Sequence, residues 1–485
     1  MKPIILRENQ VGVLNNLRGV IRDGFRKPVL SAPTGYGKTI LLASMLQSMY
    51  QKGKRGIFVC DRISLIAQTS AVLDAYDIPH GIIQGGNWRY RPHERIQIAS
   101  AQTLARRSWP DADLVIIDEA HSLHKTITDY LARTDAICIG ATATPFTKGL
   151  GQHYNAIVSA ETTFRLIEAG YLSNYRVFAA SEPDMTGAKV VAGEWSDDVA
   201  AERAMPIVGD CVAEYCKHAA GRKFIAFGCN VAHCEELQRQ FMAAGVQTEL
   251  YTYRTDDEAR TAMVEEFRKP DSFIRGLISV SALSKGFDVP DVTCIIMARP
   301  LKSSLSEHIQ ILGRGLRSHP DKTDCIVLDH AGNMMRFWDE MNEFFEHGAH
   351  ELDDGVKKPA KAKKKGEKEG MKCPQCKCVH TAAASCPECG HVYPRRANSI
   401  EHAAGQLTEL TGGNATKEDK QRIFSELLWL AESRKYSSGW VGHNFKAKFG
   451  SWPRGLVEMP IMPSPATISW IRSRNIAFSK QAKRA

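Results

Sequence analysis

Two series of short apolar runs alternate with stretches of helical periodicity along the chain. The first series is PVLSA (28–32), GIFVC (56–60), IQIAS (96–100), DLVIID (113–118) and AICIGAT (136–142). The second is KFIAF (223–227), GLISVS (276–281), TCIIMA (293–298) and CIVLD (325–329). Runs of this length bounded by polar residues read as buried strands, and TILLASMLQSMY (39–50) has its apolar residues at helical spacing. Strands separated by helices predict parallel sheets covered on both faces. The pattern therefore predicts an α/β chain with two tandem units, residues 1–178 and 179–346. Then the pattern stops. Residues 351–372 hold eight Lys and almost nothing apolar, so 347–371 reads as a solvated linker whose lysines also suit phosphate contact. A compact cysteine cluster occupies 372–396. The remainder, 397–485, carries one clear amphipathic helix, KEDKQRIFSELLWLAESRKY (417–436), and is expected to be mainly helical and basic.

Composition changes this picture little. The 485 residues suit about three domains, with 43% hydrophobic and 24% charged residues as in ordinary globular proteins. A net charge of +9 mildly favours a polyanionic partner, although many proteins without one carry as much. The start, MKPIILRENQVGVLNN, lacks a signal-peptide layout, and no run reaches transmembrane length. A cytoplasmic protein without a membrane partner is expected. In that setting the thirteen Cys read as thiols or metal ligands, not disulfides.

The junction SAPTGYGKTI (31–40) carries the first chemistry. It lies between a predicted strand and a predicted helix, where a phosphate-cradling loop must lie. Ala32 stands where the usual first Gly would be, but the amides, the Lys and the hydroxyl remain. Gly35 and Gly37 permit unusual backbone angles, and the amides of Thr34 to Thr39, Tyr36 included, would face an anion at a helix N-terminus. Lys38 would reach the β/γ-phosphates, and Thr39 would ligate Mg²⁺. DLVIIDEAH then ends an apolar strand in Asp118 and Glu119, at the edge where open α/β sheets bind ligands. One acid there can hold Mg²⁺, and its neighbour can orient or deprotonate an attacking water.

APTGYGKT, DEAH, GATATPF, GFDVPDV and QILGRGLR occur in the order and spacing of superfamily two helicases, which residues 4 to about 333 resemble. The stretch from GFDVPDV to DHAGN (286–333) looks most like the RadD-type DNA helicases of bacteria and prophages; restriction-enzyme motor subunits are more distant. The resemblance implies two RecA-like domains and ATP hydrolysis between them. LRENQ (6–10) resembles an adenine-holding segment, with Gln10 as reader and Arg7 as support, although the usual Pro and aromatic are missing. By the same resemblance Asp118 is the metal-side acid and Glu119 the catalytic base, while His121 couples the site to Thr142 and Thr144. Gly286 and Asp288 would face nucleotide and nucleic acid. Gln310, Arg314 and Arg317 would complete the site from the second domain, the arginines as fingers. Arg62, Gln68, Gln102 and Thr103 resemble strand-contacting positions. NWRYRPHER (87–95) suits stacking and phosphate contact as well as an ordinary surface loop.

CPQCKCVHTAAASCPECG offers two C-x-x-C knuckles, which can place Cys373, Cys376, Cys386 and Cys389 tetrahedrally on Zn²⁺. Cys378 and His380 are substitute ligands of poorer spacing, and a redox pair is the rival reading. A closed four-Cys site is structural, so a small zinc ribbon is expected. In the tail, GWVGHNFKAKFGSWPRGL (439–456) interleaves aromatics with cations, as suits single-stranded nucleic acid or a protein partner; Trp440 and Trp452 are expected in a small core.

The function expected is an ATP-dependent DNA helicase or translocase using ATP, Mg²⁺ and Zn²⁺, acting in recombination, repair or phage replication. Its expected partners are single-stranded or branched DNA and single-strand-binding protein. An RNA-dependent DEAH-type ATPase and a zinc-containing adaptor with an inactive motor are the alternatives.

Overall fold

The computed structural model describes residues 1–179, 182–280, 289–356, 370–381, 383–393, 417–434, 436, 438–449, 451–464, 467–468 and 470–471. The first lobe is built on seven strands: β1 (Pro28–Ser31), β2 (Gly56–Cys60), β3 (Gly81–Ile83), β4 (Ile96–Ser100), β5 (Leu114–Asp118), β6 (Ile137–Thr142) and β7 (Ala156–Ser159). They lie in the order β3-β4-β2-β5-β6-β1-β7, and every pairing is parallel. The central strands are buried throughout because helices cover both faces, which is why they read as unbroken apolar runs without alternation. Ser31, Asp118 and Thr142 finish neighbouring strands, so their loops share one edge of the sheet.

The second sheet begins earlier than expected. Strand β8 (Asn174–Phe178) pairs in parallel with β15 (Asp324–Asp329), Val177 opposite Val327. The boundary after 178 therefore moves ahead of 174: β8 is an inner strand of the second sheet, hydrogen-bonded to β15 on one side. Between them run a small hairpin, β9 (Val190–Val191) with β10 (Glu194–Trp195), and the parallel strands β11 (Phe224–Phe227), β12 (Thr248–Leu250), β13 (Gly276–Ser279) and β14 (Cys294–Met297). The cysteine cluster adds β16 (Gly370–Lys372) and β17 (Cys378–Thr381), and β17 pairs antiparallel with β8. The ribbon is thus the edge of the second sheet instead of a separate body. Arg176 fastens it, bonding Asp324 at 2.9 Å and ribbon residue Glu388 at 2.7 Å. A segment leaving the helix Trp338–His347 returns to the first lobe, where the Gly151 amide donates to the Asp353 carbonyl at 2.7 Å.

Residues 396–485 form a second compact unit. Its helices Lys417–Ser433 and Ser438–Phe449 bury Leu427, Phe445 and Ile471 between them and the following segment. Trp440 packs partly buried on Tyr436, but Trp452 departs from the core expected of it: it is 44% exposed, with the Lys446 ammonium 4.8 Å above its ring. Most of the expected linker and the end of the basic tail lie outside the described residues. Among the described residues, no helix is long and apolar enough to cross a membrane.

Candidate functional site

A cavity of about 340 Å³ lies where the two lobes meet, lined by Thr34, Gly35, Gly37, Lys38 and Thr39 from one side and Gln310, Arg314 and Arg317 from the other. Asp118 and Glu119 also line it. The loop after β1 needs its glycines: Gly35 and Gly37 have φ of +85° and +89°. A Cβ on Gly37 would stand 2.8 Å from Gln10 Nε2, and one on Gly35 would stand 2.8 Å from Leu172. Lys38, the first residue of the following helix, turns its ammonium back to the Ala32 carbonyl at 3.1 Å. Desolvation lowers its pKa, against the pull of Glu119 and Asp118. Tyr36 is buried, and its hydroxyl donates to the Asn9 carbonyl at 3.0 Å.

The acids are held under strain. Glu119 is a non-glycine residue with φ of +50°, a conformation that persists only when its surroundings impose it. Its amide donates to Asp118 Oδ1 at 3.0 Å. Burial, then the neighbouring Glu119 charge, pushes the Asp118 carboxyl up to about 7. The Thr39 hydroxyl and the Asp118 carboxylate are hard oxygen donors on one side of the cavity, which fits a divalent cation on Thr39 and Asp118.

Glu119 Oε2 is buried without a hydrogen-bond donor and lies 3.2 Å from His121 Nδ1. The same Nδ1 is 2.9 Å from Thr142 Oγ1, which also accepts the Thr144 amide at 3.0 Å. From the other lobe Gln310 Nε2 stands 3.3 Å from both His121 Nε2 and Thr144 Oγ1. A Gln amide donating to Nε2 leaves the imidazole proton on Nδ1, directed at Thr142 Oγ1. The sequence-expected base, histidine, threonines and glutamine thus form one chain of polar contacts across the lobes.

Arg317 is placed by a segment far from its own motif. Leu172 forms a β-bridge with Arg317, and the Ser173 amide donates to the Leu316 carbonyl at 2.7 Å. Beside it, Tyr171 supplies an aromatic ring that the segment LRENQ lacks: the Arg7 guanidinium is 4.7 Å from its centroid. Gln10 is buried, with Oε1 taking the Arg7 amide at 3.0 Å and Nε2 donating to the Tyr36 carbonyl at 3.1 Å. Arg7 reaches the same carbonyl. No local signal marks Tyr171, because it is joined to Arg7 only by folding.

The strand-contacting set is divided. Gln68, on the helix Ile63–Ala75, lines the nucleotide-side cavity. Arg62 caps that helix, and Gln102 ties two loops at the same sheet edge by donating to the Asp61 carbonyl at 2.7 Å while accepting Ser100 Oγ at 2.7 Å. Thr103 follows in the short helix Ala101–Leu104. Gly286 and Asp288 lie outside the described residues.

In the ribbon, the Sγ atoms of Cys373, Cys376, Cys386 and Cys389 all lie within 4.8 Å of one another, with pairs at 3.7 and 3.6 Å. A tetrahedron of Zn–S bonds needs about 3.8 Å between sulfurs, so the set fits Zn²⁺. Cys378 is instead buried among apolar residues, and burial pushes its thiol up to about 12. His380 is engaged by the Thr381 carbonyl and the Tyr393 hydroxyl.

Comparison with known proteins agrees with this geometry. A family model described as the res subunit of type III restriction enzymes matches residues 3–147, and the helicase conserved C-terminal domain matches 208–319. A 51.5 kDa protein of a Lactococcus phage (isolate 7-9) is 27% identical over 386 residues, covering 75% of this chain and 78% of that protein. A Saccharomyces cerevisiae protein assigned as the ATP-dependent helicase IRC3 is 26% identical over 358 residues; 68% of this chain spans 52% of it, about half its length. Among solved structures, a fragment assigned as the HsdR subunit of a type I restriction enzyme from Vibrio vulnificus aligns with a TM-score of 0.56 at 21% identity, covering 73% of this chain and 70% of that one. That likeness concerns the fold. With both domain models matched in order about an interlobe nucleotide-sized cavity, the chain carries the two-domain motor of an ATP-dependent helicase of superfamily two.

Proposed function

We propose that this motor is a DNA translocase or helicase of the RadD-like kind, working on single-stranded or branched DNA in recombination, repair or phage replication alongside single-strand-binding protein. The observation that carries the motor chemistry is the buried Glu119 oxygen without a donor, set across the cavity from Arg314 and Arg317. Lys38 and the loop amides bind the β- and γ-phosphates. Thr39 and Asp118 would hold Mg²⁺, which supplies charge neutralisation to the transferring phosphoryl group. Glu119 Oε2 accepts a proton from the attacking water as its oxygen bonds the γ-phosphorus and the bond to the β-phosphate oxygen breaks. Arg314 and Arg317 stabilise the charge on the departing group. Loss of the γ-phosphate removes what the arginines grip, so the lobes separate, and Gln310 leaves His121 and Thr144. A strand held across both lobes by backbone contacts is moved with each cycle, without sequence readout. The four-Cys ribbon is structural, since a closed thiolate site has no open position.

Steady-state ATP hydrolysis by the wild type and Glu119→Gln tests this, at one salt concentration with no nucleic acid, single-stranded, duplex or forked DNA, or RNA. DNA stimulation, lost in Glu119→Gln, is expected. Stimulation by RNA alone would overturn the DNA assignment, and absence of turnover with DNA still bound would point to the adaptor.

A further inference from the structure

The larger cavity of the first lobe is far from this chemistry. It measures about 1050 Å³ and opens at the starts of β5 and β6, between the C-terminal halves of the helices Glu8–Arg22 and Lys38–Gln51. The phosphate loop sits at the other end of the same strands. Its floor is aliphatic, formed by Leu14, Ile21, Met45, Met49 and Ile137. Its rim is cationic, with Arg18, Arg22 and Arg26 on one wall and Lys52 and Lys54 on the other. The single carboxylate in the lining, Asp113, is already taken by Lys54 at 2.9 Å and the Arg55 amide at 2.9 Å. Among the described residues, Arg18, Arg22, Arg26 and Lys52 have no carboxylate partner; the arginines bond only Asn15 and the backbone carbonyls of Arg18 and Asp135. A separate recess of about 460 Å³, walled by Trp109 stacked on Tyr130, adjoins the larger cavity at Ala112 and Ala136.

We infer that the larger cavity is a docking site for an acidic protein segment that presents apolar side chains. The floor withdraws apolar area from water. Unneutralised cations on both walls need several carboxylates along the ligand, whereas a simple fatty anion offers one. The large cavity contains no aromatic ring on which a base could stack, which disfavours a nucleic-acid strand. A flat lipid surface does not reach a floor between two helices. Charge complementarity therefore selects an extended acidic chain.

The test uses the full-length protein and a short labelled peptide, capped at both ends, in which Leu and Phe alternate with Asp and Glu. Fluorescence anisotropy should show saturable binding. Replacing the acids with Lys, or the apolar residues with Ala, should weaken it by about tenfold or more, as should Arg18→Glu with Arg22→Glu. These exposed arginines are remote from the nucleotide, so ATP hydrolysis of the double variant should equal wild type and report that it is folded. Absence of saturable binding would overturn the inference, as would unchanged affinity in the double variant. So would displacement of the peptide by decanoate, anionic vesicles or a single-stranded oligonucleotide that itself loses affinity in that variant.

Discussion

The lobes approach one another closely at Gly313. On the helix Leu305–Gly315, a Cβ added there would lie 2.5 Å from Thr34 Cβ, whereas ordinary contact begins at 3.4 Å. Thr34 Cβ is fixed to the backbone of the phosphate loop, so rotamer change cannot relieve the clash. Gly313→Ala must therefore drive the helix back by about 0.9 Å. Gln310 is one turn away, and its contacts with His121 and Thr144, both 3.3 Å, would pass beyond hydrogen-bond range. Overpacking of this kind costs about 1–3 kcal/mol. The cost falls on the apposed arrangement alone, because separating the lobes removes it. Turnover should fall about 5- to 150-fold at saturating ATP and activator, with the melting temperature little changed.

Gly315→Ala provides the contrast. Its Cβ would meet Cys325 Sγ at 2.5 Å and Ile295 at 2.8 Å, inside the second lobe. That strain persists whatever the lobes do, and should appear as lost thermal stability. A Thr34→Gly background should blunt the effect of Gly313→Ala, because the two residues share the contact. The assay is steady-state hydrolysis with thermal melting on the same preparations. Turnover of Gly313→Ala within about twofold of wild type would show that hydrolysis does not require this apposition, and would refute the reasoning.

Tyr171→Ala should raise KM for ATP several-fold with a smaller effect on kcat, since the ring flanks Arg7 and not the phosphates; initial rates over an ATP series separate the two. Chelation of zinc, or Cys376→Ser, should lower the melting temperature of the motor and not merely loosen a tail, because β17 is hydrogen-bonded to β8 and the ribbon cysteines share the second lobe's core. Zinc released on denaturation, measured with a chromogenic chelator, should be lost in that variant. Buried His308 and His233 have their pKa values lowered by desolvation to about 3 and 4. The unfolded chain takes up these protons first, so stability should fall as pH drops from about 6.5, by about 2 kcal/mol per histidine at pH 5. Denaturant melts of wild type and His308→Leu should diverge across that window, the variant losing less.

What could be read from the sequence was chemistry carried by adjacent residues. The phosphate loop is legible because Gly35, Gly37, Lys38 and Thr39 act as one local structure between a strand and a helix. The cluster of Cys373, Cys376, Cys386 and Cys389 is legible because each knuckle fixes two sulfurs locally. What could not be read depends on which segments meet. An isolated strand such as β8 carries no mark of the sheet it will join. The consequence reaches the arginine expected to act as a finger. Arg317 belongs to a legible motif, yet its position over Gly35 is held by the bridge to Leu172 and by the Ser173–Leu316 hydrogen bond. Those residues run directly into β8, which is locked beside β15. The connection between the lobes is therefore part of the nucleotide site: it sets the height of Arg317 over the loop and places Tyr171 against Arg7. A change in the 171–173 segment should alter hydrolysis even with every motif residue intact, because the motif specifies the guanidinium and the connection specifies where it stands.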